Sequence, residues 1–256
     1  MATKVTARRG ASDRAPENTL AAIHQAVESG ADRIEVDVHA SRDGRLVLHH
    51  FYVLGETDDG EGLVFERDAA YLRALDAGSW FDPVYRGERI PFLEEVFATV
   101  GDAVEYELDL KGFTLPFLDA VLALTHRYGV FDQTEFTSPH LFLLTHLKRY
   151  EPRGRVGIFA YSLVEPWMMP DLGWTLMRQT AALGDIDVVH CTVDLLTPGF
   201  VAALHADGRA VHAANCDTEE DLRRAYELGV DWLSTGRLEL ALRVREQYHG
   251  IPRPQL

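Results

Sequence analysis

The sequence predicts an α/β fold of the TIM (β/α)8 barrel class, with a hairpin and a loop insertion after strand 2. Three observations predict it. Strand-like and helix-like runs alternate along all 256 residues. Eight such pairs in a chain of this length match the size and order of the barrel. No Ser/Gly/Pro linker or low-complexity tract interrupts them, so one domain spanning residues 1–256 is expected.

The strand candidates, in order, are residues 5–7, 33–38, 104–110, 134–137, 156–161, 187–193, 210–214 and 231–235, each rich in β-branched and aliphatic residues. Between them, apolar residues recur at the 3.6 spacing of amphipathic helices over residues 19–29, 93–99, 115–127, 141–150, 170–183, 198–206, 219–228 and 238–246. Asn18 stands where an N-cap belongs. Gly30 and Gly229 follow helices as C′ residues, and Thr218 precedes Glu219, Glu220 and Asp221 in a first turn whose dipole favours acids. One segment breaks the alternation: runs 35–40 and 45–50 flank Ser41-Arg42-Asp43-Gly44, and Asp-Gly between strand-like runs signals a hairpin. With the Gly/Asp-rich stretch that follows, it forms an insertion over about residues 41–91. Barrel active sites lie at the C-terminal strand ends, so this insertion is a candidate wall or lid.

Composition narrows the function. Forty acidic against 25 basic residues give a formal charge of −15, while 46% of residues are apolar. A chain of this size buries roughly 70–75% of its unfolded surface and needs no disulfide or metal staple. The acidic balance disfavours nucleic acid and anionic membrane surfaces, which draw affinity from Lys and Arg. Cys191 and Cys216 show no paired framework and read as free buried thiols. There is no apolar leader-like run at the start and no run long enough to span a membrane, so the expected address is the cytoplasm. Walker A, GxGxxG, GxSxG and HExxH patterns are absent, which disfavours nucleoside triphosphates, serine hydrolysis and zincin chemistry. Oligomeric state leaves no mark.

Glu35-Val36-Asp37 places two carboxylates at alternate positions of one strand, hence on one face; Glu107-Leu108-Asp109-Leu110-Lys111 repeats the arrangement with a lysine added. Buried carboxylates without a cation are costly. Hard oxygen donors without cysteine suit Mg2+ or Ca2+, and a neighbouring lysine suits a phosphoryl oxygen. A plainer reading of the same residues is an internal ion-pair network, and spacing alone leaves both open. His49 and His50 end the hairpin, and one of them should face the carboxylates, where a histidine makes a natural proton shuttle. Arg8-Arg9-Gly10 closes the first strand with two guanidiniums suited to phosphate, although Arg9 could equally pair with Glu17.

Taken together, Arg8-Arg9-Gly10-Ala11, Ala15-Pro16-Glu17-Asn18-Thr19-Leu20, Glu35-Val36-Asp37-Val38, Arg42-Asp43-Gly44, Val47-Leu48-His49 and Asp109-Leu110-Lys111 resemble the glycerophosphodiester phosphodiesterase family. The likeness continues through residues 57–60, 76–81, 90–96 and 229–231 and covers nearly the whole chain. It implies a TIM barrel that cleaves small-molecule phosphodiesters such as glycerophosphocholine with a divalent cation, using two histidines as acid and base. By this resemblance Glu35, Asp37 and Asp109 are metal ligands, with Glu107 a substitute for the third; Asp109 stands where the bacterial enzymes usually carry glutamate. Lys111 would hold a phosphate oxygen, and His49 would be one of the proton-transfer residues. Arg9 and His50 would contact substrate.

Departures from the pattern matter. The family's first histidine is Arg8 here, and arginine stays protonated, so it cannot act as a base. Arg8 could instead stabilise charge on the phosphoryl oxygens, with His50 available for the other proton transfer. Glu56, Ala214 and Gly236 replace further family residues. Three readings follow: a divergent metal-dependent phosphodiesterase or phospholyase, a repurposed enzyme acting on another phosphorylated metabolite, and a non-catalytic phosphate- or cation-binding protein. Specificity would come from the insertion and from residues 162–173.

Overall fold

In the computed structural model, the described residues are 3–160 and 170–248; residues 162–169, most of the second expected specificity segment, lie outside them. The chain divides into two compact units, residues 7–134, and residues 1–6 with 135–256. Along the chain the elements run β1 (Lys4–Arg8), α1 (Leu20–Glu28), β2 (Arg33–Ala40), β3 (Leu46–Leu48), α2 (Ala69–Ala74), α3 (Leu93–Val100), β4 (Glu105–Leu110), α4 (Leu115–Arg127), β5 (Thr134–Ser138), α5 (Leu141–Tyr150), β6 (Arg155–Phe159), α6 (Pro170–Leu183), β7 (Val188–Thr192), α7 (Pro198–Ala206), β8 (Ala210–Ala214), α8 (Glu219–Glu227), β9 (Trp232–Thr235) and α9 (Leu238–Gln247). With β3 set aside, this is the β/α alternation that the hydrophobic periodicity predicts. No helix among the described residues is long and apolar enough to cross a membrane.

In residues 7–134 the central element is β2, buried over all but its last residue. It pairs in parallel with β4, placing Arg33 opposite Glu105, Glu35 opposite Glu107 and Asp37 opposite Asp109. Alternation splits β2 into an apolar face of Ile34, Val36 and Val38 and a face of Arg33, Glu35, Asp37 and His39, all of them buried. Arg33 is fully buried, and its guanidinium lies 3.4 Å from Glu105 and 3.6 Å from Glu107. It neutralises the first rungs of the ladder and leaves Glu35, Asp37 and Asp109 to other cations.

The predicted hairpin forms: β2 pairs antiparallel with β3, with Val38 opposite Leu48 and Ala40 opposite Leu46. The insertion beyond it has its own small core of Val47, Leu54, Val64, Leu72, Leu75, Ala77 and Ile90, with Phe92 packed against it. Burying such a cluster stabilises by roughly 1.5–3 kcal/mol per large side chain, and a bidentate Arg73–Glu95 pair, 2.7 and 2.8 Å, ties the segment to α3. The segment expected as a wall or lid is therefore a folded one.

In the other unit, β5, β6, β7, β8 and β9 pair in parallel in chain order, with helices between them. Helix starts follow their caps. Thr197 accepts from the N–H of Phe200, and Thr218 forms a capping box with Asp221. Asn18 does not take the cap expected of it: Thr19 caps α1 by accepting from the N–H of Ala22, while Asn18 turns into the left-handed region at φ 56°. That frees its amide for the site described below.

Gly10 sits at φ +84°, and a Cβ there would stand 2.6 Å from the Ala22 carbonyl carbon. Only glycine allows β1 to exit this close to α1. Gly10→Ala should cost about 2–4 kcal/mol through backbone strain and overpacking, read as a lower midpoint in urea unfolding with an unchanged slope; a change within a few tenths of a kcal/mol would contradict this packing.

Candidate active site

Glu35, Asp37 and Asp109, all buried, each offer a carboxylate oxygen such that the three lie within 4.8 Å of one another. The parallel β2–β4 register causes this, because Asp37 and Asp109 are direct neighbours and Glu35 is two residues back on the same face. Glu107, expected as a substitute ligand, is held by Arg33 instead, 3.6 Å away.

Two cations reach the carboxylates. Lys111 sets its Nζ 2.9 Å from Asp37 Oδ1 and 2.6 Å from Asp109 Oδ2. Arg9, at φ 58°, turns its backbone N–H to donate to Glu35 Oε2 at 2.8 Å, places Nε 3.3 Å from Asp37 Oδ2 and donates from NH1 to Glu17 Oε2 at 2.9 Å. The pairing of Arg9 with Glu17 and its place at the carboxylates are thus both realised. Asn18 binds Asp37 reciprocally, donating from Nδ2 to Oδ2 at 2.8 Å and accepting the Asp37 backbone N–H at 3.1 Å.

Two fixed positive charges face three carboxylates, or four with Glu17, so negative charge remains unbalanced. The titration behaviour follows. Burial, reinforced by Asp37, pushes Glu35 up to about 8. Burial alone would raise Asp37 too, but Lys111, the hydrogen bond from His50, and Arg9 outweigh it and hold Asp37 well below the usual carboxylate range. Burial raises Asp109 despite Lys111 beside it. Lys111 shifts upward: burial opposes its charge, and Asp37 and Asp109 more than compensate. The Oδ1 atom of Asp109 is buried without a hydrogen-bond partner. A buried acceptor with an unused lone pair, beside a carboxyl that burial and the neighbouring Asp37 keep protonated, fits a hard divalent cation.

The histidine pair divides its labour in a way alternation alone leaves open. His50 faces the carboxylates, with Nδ1 3.2 Å from Asp37 Oδ1 and Nε2 2.9 Å from the NH2 group of Arg9. Since a guanidinium only donates, Nε2 accepts and Nδ1 carries the proton given to Asp37. The Phe51 ring packs edge-on against the His50 ring at 4.7 Å. His49 turns into the insertion, where Nδ1 meets the Phe51 carbonyl at 2.7 Å and Nε2 meets Asp58 Oδ2 at 2.8 Å. Both His49 nitrogens thus face oxygens of the insertion. Burial lowers His39, behind them, to about 3, with His49 adding to the shift, so it stays neutral. Arg8 ends β1 half-buried, and its carbonyl accepts the Ser12 hydroxyl at 2.9 Å.

Sequence reasoning did not find Asn18 or Glu17 as parts of this site. Asn18 was the more legible of the two, since an asparagine tolerates the left-handed backbone and need not serve as a cap when a threonine follows it.

Asp58 also accepts the backbone N–H groups of Gly60 at 2.7 Å and Gly55 at 3.2 Å, which makes the His49–Asp58 pair the pin of the insertion. Burial would raise the Asp58 carboxyl, but the His49 hydrogen bond and these amides lower it overall. An acid lowered in the folded state stabilises above its unfolded value of about 3.9 and loses that contribution as pH falls through the lowered value. Melting temperature of the wild type should therefore drop as pH falls below about 4, and Asp58→Asn should flatten that drop while costing about 1–3 kcal/mol at pH 7. Equal acid sensitivity of the two proteins would show that Asp58 is not the group responsible.

The glycerophosphoryl diester phosphodiesterase family model matches residues 9–240. A glycerophosphodiester phosphodiesterase of Caldanaerobacter subterraneus subsp. tengcongensis is 32% identical over 240 residues, covering 92% of this chain and 94% of that protein. Among solved structures, a glycerophosphodiester phosphodiesterase from Agrobacterium tumefaciens superposes with a TM-score of 0.80 at 27% identity, covering 94% of this chain and 99% of that one. A phosphodiesterase of Oleispira antarctica, solved with the product sn-glycerol-3-phosphate, does so with a TM-score of 0.85 at 27% identity, covering 96% and 97%. The fold is the TIM barrel that the β/α alternation predicts, and the chain belongs to the glycerophosphodiester phosphodiesterase family.

Proposed function

We propose that the protein is a metal-dependent phosphodiesterase acting on glycerophosphodiester-like small molecules, divergent in its proton transfer. One observation carries this reading: Glu35, Asp37 and Asp109 converge with an orphaned carboxylate oxygen and more negative charge than Lys111 and Arg9 offset. These three carboxylates would hold Mg2+ or Ca2+, which when bound would polarise the phosphoryl oxygens and offset charge developing on them. Family membership, and the glycerol phosphate product seen in the Oleispira antarctica enzyme, support the substrate class.

The chain's own residues supply the remaining work. Lys111 and Arg9 bind phosphoryl oxygens as fixed donors, Arg9 bidentately. Asp37 holds the His50 ring through Nδ1, so that Nε2 is the proton-transfer atom once the Arg9 guanidinium turns from it to the substrate. His50 thus takes the proton-transfer role first assigned to His49. The His49–Asp58 pair keeps the insertion in place beside it. Arg8, fixed as a cation, supplies charge rather than a base. With one histidine in place of two, His50 serves one proton transfer and the second step proceeds without a histidine.

The purified protein should release alcohol from glycerophosphodiesters in Mg2+ or Ca2+ and lose the activity in chelator. His50→Ala should lower kcat by about 10²- to 10⁴-fold, against a much smaller loss for His49→Ala once folded protein is compared. Arg8→His should raise diesterase turnover by restoring a second proton-transfer group. If a panel of glycerophosphodiesters and lysophospholipids yields no alcohol with either cation while a control enzyme cleaves them, the enzymatic reading fails.

A further inference from the structure

A second group of donors lies in the unit formed by β5 to β9, apart from the residues described above. Glu135 is the second residue of β5, His190 the third of β7 and His212 the third of β8. His190 and His212 are direct partners across the β7–β8 pair. All three side chains are buried, and each offers a donor atom such that the three lie within 4.8 Å of one another. His190 Nε2 is 2.6 Å from Glu135 Oε1, and the two imidazole rings lie 4.1 Å apart at 31°.

The strand between them makes room. On β6, which separates β5 from β7, Gly157 presents no side chain, and a Cβ there would stand 2.6 Å from Glu135 Oε1 and 2.7 Å from His190 Nε2. Any other residue would push these two heads apart. The glycine keeps clear the point on which a carboxylate and an imidazole converge.

We propose that Glu135, His190 and His212 form a second metal site that takes a borderline transition-metal ion of the Zn2+ class. Two imidazoles and one carboxylate are donors such an ion prefers, whereas Mg2+ and Ca2+ take oxygen ligands almost throughout. The ion replaces the proton shared between Glu135 and His190. Bond lengths of about 2.0–2.2 Å to nitrogen and oxygen require side-chain adjustments only, because the donor atoms already lie within 4.8 Å of one another. Its role is structural, cross-linking β5, β7 and β8 from within, since the donors have no exposed surface from which to reach a substrate.

Co2+ reports the site by its ligand-field absorption. The intact protein is expressed in minimal medium with Co2+, so that the buried site loads during folding, and is then dialysed against a weak chelator. The expected result is a visible band that survives in Glu35→Gln/Asp37→Asn and disappears in His212→Gln and in Glu135→Gln, with far-UV circular dichroism unchanged and retention of the ion about 10–100-fold weaker or worse. X-ray absorption on wild-type Zn2+-loaded protein should show two imidazoles in the first shell, which keeps the test decisive if a variant fails to fold. No band in wild-type protein, a band lost only in the Glu35→Gln/Asp37→Asn variant, or an oxygen-only shell would overturn the proposal.

Discussion

Three carboxylates from two adjacent parallel strands are forced into one buried spot by backbone register, and their mutual repulsion must be met. Once Asp37 lies opposite Asp109, with Glu35 two residues behind on the same face, the surroundings have to supply positive charge, hydrogen-bond donors or both. Much of the surrounding structure answers this demand. Arg33 takes the first rungs of the ladder, Lys111 bridges the last, Asn18 clasps Asp37 from both sides, and Arg9 adopts a left-handed backbone so that its amide and its guanidinium both reach the site. Even so, the local charge does not close, and Glu35 holds its proton up to about 8, chiefly through burial.

The hairpin after β2 connects this electrostatic problem to the insertion. It delivers two adjacent histidines to different environments, because neighbours at the end of a strand point opposite ways. His50 joins the carboxylates and His49 joins Asp58. A single turn thereby fixes both a titratable ring at the site and the clamp that orders the segment beside it. The insertion that follows His50 buries an apolar cluster of its own and is held by Arg73 and Glu95.

In the function proposed above, Arg8 at the position where the family resemblance implies a histidine is what makes the proton transfer divergent. A guanidinium binds and stabilises phosphoryl charge but cannot exchange a proton near neutral pH. On that proposal the site gains charge complementarity and loses one proton-transfer group. The same proposal puts the requirement for an acid or base on His50, whose ring lies between Asp37 on one side and Arg9 on the other.

Hydrophobic periodicity and turn chemistry determined the order of strands and helices, the hairpin at Ser41 to Gly44 and the alternation that brings Glu35 and Asp37 to one face, because these are local properties with a period of 2 or 3.6 residues. The carboxylates on that face were legible for the same reason. Three things were decided only in the tertiary structure. Which of His49 and His50 meets the carboxylates depends on how β3 leaves the sheet. Whether Asn18 caps a helix or clasps Asp37 depends on its own left-handed backbone, φ 56°, and on a partner 19 positions away in sequence. That Glu107 faces Arg33 while Asp109 joins Asp37 and Glu35 depends on cross-strand register. Each is a choice between long-range partners, and local sequence carries no signal that ranks one distant partner above another.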